Sequence, residues 1–437
     1  MSKLLKKLHN KTIDIHEANK LIIKLKDELN DKFDQDYINQ YIKSIFDFKI
    51  IINNIPYPTN NKIIVPKEFI KLEKHYQKLA NTPQPDQRTP EWFKFRSDRI
   101  TASNIADALD HNPYSSWENF IITKCTPDIV FKDNDTVFHG KKHEEVATKI
   151  YQEIFNVKVE EFGCLPHPTI PFLGASPDGI CSKETLDGKF SDRLGVMLEI
   201  KCPTRRKIYH EGDIMGHICP HYYWYQCQVQ MECCELDKCD FWQCEIEEIT
   251  FQEYINNEFD KYYTQGIDAQ TLNVPDTCHQ GVIIQLLPKN YVPRYPEDKH
   301  YFQGKIIYPD RLNYNFIQYQ QWILQQLETL HKYPDFYFDK VIYWRLKSCH
   351  NVEIIRDKKW FADNLPILQD TWNKVLYYRN HPKKLKKLEK IVEKKKNVWK
   401  FNTKFTISKQ HNDIKFLELD IDSDNDSISN SDIDFID

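Results

Sequence analysis

The stretch LEIKCP, residues 198–203, poses the physical problem on which the reading of the chain turns. Val196, Met197, Leu198 and Ile200 have the apolar density of a short buried strand, and Cys202-Pro203 ends it. Side chains two apart on a strand point the same way. Glu199 and Lys201 therefore share one face of a strand that favours a dry environment. Charges in such a place are costly unless something pairs or uses them.

Working outward, Asp178 lies in GASPDG (174–179), where Pro177 and Gly179 mark a tight turn beside the run FLGASPDGI (172–180). If that run pairs with GVMLEIKCP (195–203) as a hairpin, Asp178 and Glu199 meet at one end of a sheet. Upstream, HGKKHEEVATKIYQEIF (139–155) has strong amphipathic helical spacing and offers Glu144 or Glu145. Carboxylates held together repel, and a divalent cation bound through oxygen resolves the repulsion. Magnesium kept partly hydrated suits phosphate chemistry, and Lys201 would add positive charge beside an attacking water. From these residues alone, a structural ion pair on a sheet edge is the commoner case and the favoured reading.

At 437 residues, with 41% apolar and 13% aromatic content, the chain reads as globular with two to three domains. It contains no long uncharged apolar run, so no membrane span is expected. The opening MSKLLKKLHNKTID lacks the pattern of a secretory signal, which points to an intracellular protein with reduced thiols among its 12 cysteines. The net charge of −4 conceals a split: residues 411–437 carry −8, which leaves +4 for the remainder. A mildly basic body permits a nucleic-acid partner without requiring one.

Four segments follow from texture: a helical N-terminal region (1–85), a core (86–265), a C-terminal extension packing on it (266–400) and an acidic, serine-rich tail expected to be disordered (401–437). Within the core the order is helix, three strands, helix PHYYWYQCQVQMECC (220–234), then strand KCDFWQCEIEEITF (238–251), a mixed α/β pattern. PEWFKFRSDR reads as a helix start, and TASNIADAL as a helix with Thr101 or Ser103 near its N-terminus. Beyond residue 266 the pattern holds loops, strands and a long helix without clear bounds.

Together these motifs resemble the PD-(D/E)XK nuclease superfamily and, within it, the YqaJ-type viral recombinase, or lambda-exonuclease-like, family. The matches run in family order: EWFKFRSDRITAS (91–103), HGKKHEEVA (139–147), LGASPDG (173–179), LEIKCP and YYWYQCQVQM (222–231). The resemblance implies a PD-(D/E)XK core, a mixed central sheet flanked by helices, with N-terminal helical and C-terminal extensions. It implies Mg2+, with Mn2+ as a substitute, held by Glu144, Asp178, Glu199 and the Ile200 carbonyl. Lys201 would position or activate the attacking water, and Gln226, with Tyr223 one turn before it, would stand beside the lysine. The neighbours Gln228 and Gln230 leave that register open, as Glu145 does for Glu144.

Arg96 and Ser103 match residues that grip a terminal 5′-phosphate, and an arginine fork with a hydroxyl at a helix start is a natural anion pocket. Trp92 would stack on bases or simply pack in the entry helix. The implied function is a deoxyribonuclease at double-stranded DNA ends, working 5′ to 3′ in viral-type recombination, replication or repair. The implied setting is host cytoplasm or virion, with a single-strand annealing partner and homo-oligomerisation as further expectations. An endonuclease or single-strand nuclease on the same core, or an inactive DNA-binding scaffold, are the competing readings.

Cys125, Cys233, Cys234, Cys239 and Cys244 fit zinc or iron–sulfur spacing poorly and read as reduced, buried thiols. The histidines of 210–224 read as a loop and helix entry rather than a metal site. The lysine run 383–396 is a solvated helix face or a track for the DNA backbone.

Overall fold

The computed structural model describes residues 63–85, 89–126, 133–255 and 280–409, apart from 313 and 315. The expected helices over 12–50 and residues 410–437 of the tail lie outside the described residues, while 401–409, assigned to a disordered tail from sequence, instead continue the helix Pro382–Lys409. In chain order the elements begin with α1 (Ile70–Ala80), α2 (Pro90–Ser97), β1 (Ile100–Thr101), α3 (Ile105–Ala108), α4 (Trp117–Cys125) and α5 (Asp135–Phe155). Four short strands follow: β2 (Val159–Glu160), β3 (Leu165–Pro166), β4 (Leu173–Ala175) and β5 (Gly179–Cys181). Then come β6 (Met197–Lys201), α6 (His221–Cys234), β7 (Lys238–Ile249), β8 (Gln280–Pro288) and β9 (Lys305–Ile307). The chain closes with α7 (Phe316–Glu328), β10 (Phe336–Ile355), α8 (Lys358–Asn380) and α9 (Pro382–Lys409).

Local chemistry sets the helix bounds. The Thr89 side chain accepts the Trp92 N–H and Pro90 opens α2. Ser116, Asn134 and Asp357 cap α4, α5 and α8 in the same way. Asn156, with φ of 46°, ends α5 in the left-handed region that asparagine tolerates.

A seven-stranded sheet in the order β2-β5-β6-β7-β10-β8-β9 forms the centre, and a three-stranded sheet β1-β4-β3 lies apart from it. β6 and β7 are parallel, joined through α6, while the other neighbours in the large sheet are antiparallel. Alternation along β6 sends Leu198 and Ile200 into a core with Val146, Ile150 and Tyr151 of α5. Met197 faces the other way, into a core with Cys227 and Met231 of α6 and Tyr76 of α1. The result is a mixed sheet with α5 on one face and α6 on the other. Among the described residues, no helix is long and apolar enough to cross a membrane.

Several sequence expectations need correction. The run 172–180 is not one strand: Pro177 breaks it, and β4 and β5 belong to different sheets. VKVEEFG contributes only the two-residue β2. TASNIADAL begins on β1 and turns helical after a 3-10 turn over Ala102–Asn104. β6 is no sheet edge, since it lies between β5 and β7. Beyond residue 266, β10 is a 20-residue strand inside the sheet, paired along β7 on one side and β8 on the other.

Candidate active site

β5 and β6 pair antiparallel with Gly179 opposite Leu198, which sets Asp178 at the sheet rim beside Glu199 and Ile200. The Asp178 N–H donates to the Leu198 carbonyl at 3.2 Å, and the Ile200 N–H donates to Asp178 Oδ2 at 2.7 Å. The turn is thus tied at both ends to β6, and the carboxylate lies against the Ile200 backbone. Burial raises the Asp178 carboxyl well above the ordinary carboxylate range, with Glu199 and then Glu144 adding to the rise. Three carboxylates therefore feel one another here.

Glu144, not Glu145, faces this rim. Glu145 is exposed and pairs with Lys149 one turn on, at 2.9 Å. Glu144 is half-buried and contributes to the raised states of both Asp178 and Cys202.

Glu199 and Lys201 point toward α6, and this resolves why a dry strand carries them. The Glu199 side chain is 0% exposed and its Oε1 accepts from Lys201 Nζ. Its Oε2 accepts from Gln226 Nε2 at 2.8 Å and from Gln230 Nε2 at 2.7 Å. Burial acts to lower the Lys201 ammonium, but Glu199, Asp178 and Tyr223 outweigh it and raise its pKa, so the lysine stays charged. The Tyr223 ring lies 4.7 Å from Nζ. Tyr223, Gln226 and Gln230 share one face of α6 at helical spacing. Gln228 points the other way, donating to the Ile355 carbonyl at 2.9 Å and accepting from the Asp357 N–H at 2.6 Å. Gln230 is thus a site residue whose register the sequence left open.

A second buried carboxylate, Asp240 on β7, shows what a structural acid looks like. It pairs with Arg193 and accepts from the Tyr151 hydroxyl at 2.7 Å. The rim differs in its charges: Glu199, Glu144 and Lys201 all act on Asp178, and carboxylate oxygens are the hard ligands that magnesium takes.

Arg96 and Ser103 also meet. Arg96 Nη2 donates to Ser103 Oγ at 2.8 Å, and the guanidinium lies 4.4 Å from the Trp92 ring. Trp92 therefore packs under the arginine within α2. Two further cations, which the sequence gave no reason to select, stand beside Arg96. Lys124 of α4 donates to the Arg96 carbonyl at 2.7 Å, and burial, then Arg96 and Arg379, bring its ammonium down to about 7. Arg379 of α8 donates to the Ser97 and Lys124 carbonyls at 2.6 and 2.7 Å, closing the ends of α2 and α4.

The cysteines are spread over separate cores: Cys244 packs with α5, Cys233 with the small sheet, and Cys234 and Cys239 with the α6 face.

Comparison with known proteins gives three findings. The chain is 36% identical over 344 residues to uncharacterized protein R354 of Acanthamoeba polyphaga mimivirus, an alignment covering 76% of this chain. The chain spans 61% of the length of that relative. Among solved structures, an alkaline exonuclease (LHK-Exo) from Laribacter hongkongensis aligns with 68% of this chain and 97% of its own, at 17% identity and a TM-score of 0.35. The same exonuclease in complex with dAMP gives 18% identity and the same TM-score of 0.35. Residues 91–237 match the YqaJ-like viral recombinase domain, a span that includes Arg96, Ser103, Glu144, Asp178, Glu199, Lys201, Gln226 and Gln230.

Proposed function

We propose that the protein is a divalent-metal-dependent deoxyribonuclease that hydrolyses phosphodiester bonds at duplex DNA ends, from the 5′ strand. The observation that carries the reading is the convergence of Glu144, Asp178, Glu199 and Lys201 on one rim within the matched domain. Asp178, Glu199, Glu144 and the Ile200 carbonyl would hold Mg2+, with Mn2+ as a substitute. When bound, such a cation polarises the phosphate and makes water a better nucleophile.

The chain's own groups have separable duties. Gln226 and Gln230 fix the Glu199 carboxylate, and that carboxylate fixes Lys201. Because Lys201 is held protonated, it serves as a charge and a hydrogen-bond donor for the attacking water and the developing phosphorane, not as a proton acceptor. Tyr223 supports its ammonium from below. The Arg96–Ser103 pair, with the positive charge of Lys124 and Arg379 behind it, suits a terminal 5′-phosphate. The mimivirus relative supports a viral setting.

The test is a time course on strand-labelled linear duplexes, with and without a 5′-phosphate, beside closed circles. Loss of label from phosphorylated ends, abolished by Asp178→Ala or Lys201→Ala with DNA binding retained, is the expected result. Arg96→Ala should erode the preference for the phosphorylated end while leaving metal dependence in place. Nicked circles would indicate an endonuclease, and binding without cleavage a scaffold.

A further inference from the structure

We propose that His139, His143 and Glu248 form a second metal site, selective for zinc-class ions, that clasps α5 to β7. The two histidines are one turn apart on α5, with ring centroids 4.2 Å apart. Glu248 reaches them from β7, and one ligand atom from each of the three residues lies within 4.8 Å of the others. Drawing these atoms in to metal-bonding distance takes only small side-chain rotations, since zinc–nitrogen and zinc–oxygen bonds run about 2.0–2.2 Å.

The protonation pattern argues for a ligand. His143 is 0% exposed, and its Nδ1 lies 3.0 Å from the His139 carbonyl oxygen. A carbonyl only accepts, so Nδ1 carries the hydrogen, and the neutral ring presents a lone pair at Nε2. That Nε2 is buried with no hydrogen-bond partner, and so is Nε2 of His139. Two buried ring nitrogens without partners, on the two histidines that cluster with Glu248, are an expense that ordinary packing avoids. A metal ion meets both at once, and the bond from Nδ1 to a main-chain carbonyl is the support that metal-bound histidines usually have.

Donor type separates this site from the rim. Two imidazoles and one carboxylate match zinc, whereas magnesium prefers the all-oxygen set around Asp178. Lys142 pairs with one oxygen of Glu248, so the carboxylate keeps that partner in the outer shell and offers the other oxygen inward. Glu248 is exposed, which leaves an entry path and room for a water as fourth ligand. Along β7, Glu248 stands five residues beyond Gln243, the strand partner of Lys201, about 17 Å at strand rise, while on α5 His143 directly precedes Glu144. The proposal does not depend on the nuclease reading.

The test uses the full chain, stripped with chelator, incubated with zinc chloride and passed over a desalting column. Wild type and Asp178→Ala should each retain one equivalent by elemental analysis. His139→Gln and Glu248→Gln, two positions that are not fully buried, should each lose at least tenfold in affinity in a chelator competition. Should either variant fail to fold, X-ray absorption at the zinc edge of the wild type decides, and it should show imidazole scattering from two rings. Absence of retained zinc in the wild type, equal affinity in folded variants, or sulfur scatterers from the buried cysteines would overturn the proposal.

Discussion

Replacing Lys201 with methionine in metal-free buffer is expected to destabilise the fold by about 3 kcal/mol. Glu199 is fully buried and Lys201 is 22% exposed, so the substitution strips a carboxylate of its counter-charge in a place that water does not reach. Removing one member of a buried pair costs about 3–5 kcal/mol, and the amides of Gln226 and Gln230 keep the loss at the low end. The double variant Glu199→Gln, Lys201→Met carries no buried charge at this point and is expected within about 1 kcal/mol of wild type. The pair's coupling energy then emerges from a double-mutant cycle by urea unfolding in EDTA. A second arm adds Mg2+, which should stabilise the Lys201→Met variant more than wild type, because the cation takes over the charge that Glu199 lost. A double variant no more stable than the single one would refute the buried-pair argument. Equal gains from Mg2+ in wild type and variant would refute the metal site at the rim.

Lys124 gives a pH prediction. Its ammonium is brought down to about 7 by burial and by Arg96 and Arg379, against 10.5 ordinarily. Between those values the unfolded chain binds more protons, so stability rises with pH across the window and the buried lysine costs most below pH 7. Lys124→Met should therefore raise the urea midpoint most at about pH 6, by an energy on the order of 4 kcal/mol at the upper limit, and lose its advantage toward about pH 10. Gly281→Ala on β8 places a Cβ 2.6 Å from both the Trp344 ring and the Tyr319 hydroxyl, in a packed core. It should cost about 2 kcal/mol in thermal unfolding, and a neutral result would mean that the ring can move aside. A chain ending near residue 265 leaves β7 without β10, exposing a long edge with Phe241 and Trp242 in its cores. It should aggregate or lack a cooperative transition in calorimetry, and a soluble, cooperative fragment would contradict this.

The parts of the fold that depend on local periodicity could be read from the sequence. α5 follows its apolar spacing, and β6 and β7 their runs of branched and aromatic residues. Partner choice was not legible, because it depends on distant segments. Nothing in residues 336–355 says that this strand lies between β7 and β8, and Pro177 looked like a turn within one strand rather than a change of sheet. The candidate site divides the same way. Asp178, Glu199 and Lys201 lie near one another once the hairpin is drawn, and helical spacing alone sets Gln230 beside Gln226 and turns Gln228 away. Lys124 carried a faint signal, as a lysine on the stripe with Phe120 and Ile121 that α4 buries. Arg379 carried none, since it joins the pocket from the far end of the chain.

The same geometry explains why opposite charges persist in β6. A hydrophobic pair there would pack well against α6 and avoid desolvation altogether. Stability therefore gives no reason to keep Glu199, Lys201 and two glutamines, one of them fully buried, that only hold them in place. Gln230 and Gln243 each leave a buried carbonyl oxygen without a partner, so the polar layer is not even fully satisfied on its own terms. Asp240 is a simpler case: its arginine and tyrosine hold it, although Glu353 lies opposite it on β10 and one of its own oxygens is also without a partner. A network kept for stability alone would pair an acid with a base and gather no more. One that gathers acids together, holds a lysine charged beside them and fixes both with amides makes sense as a site for a cation and a phosphate.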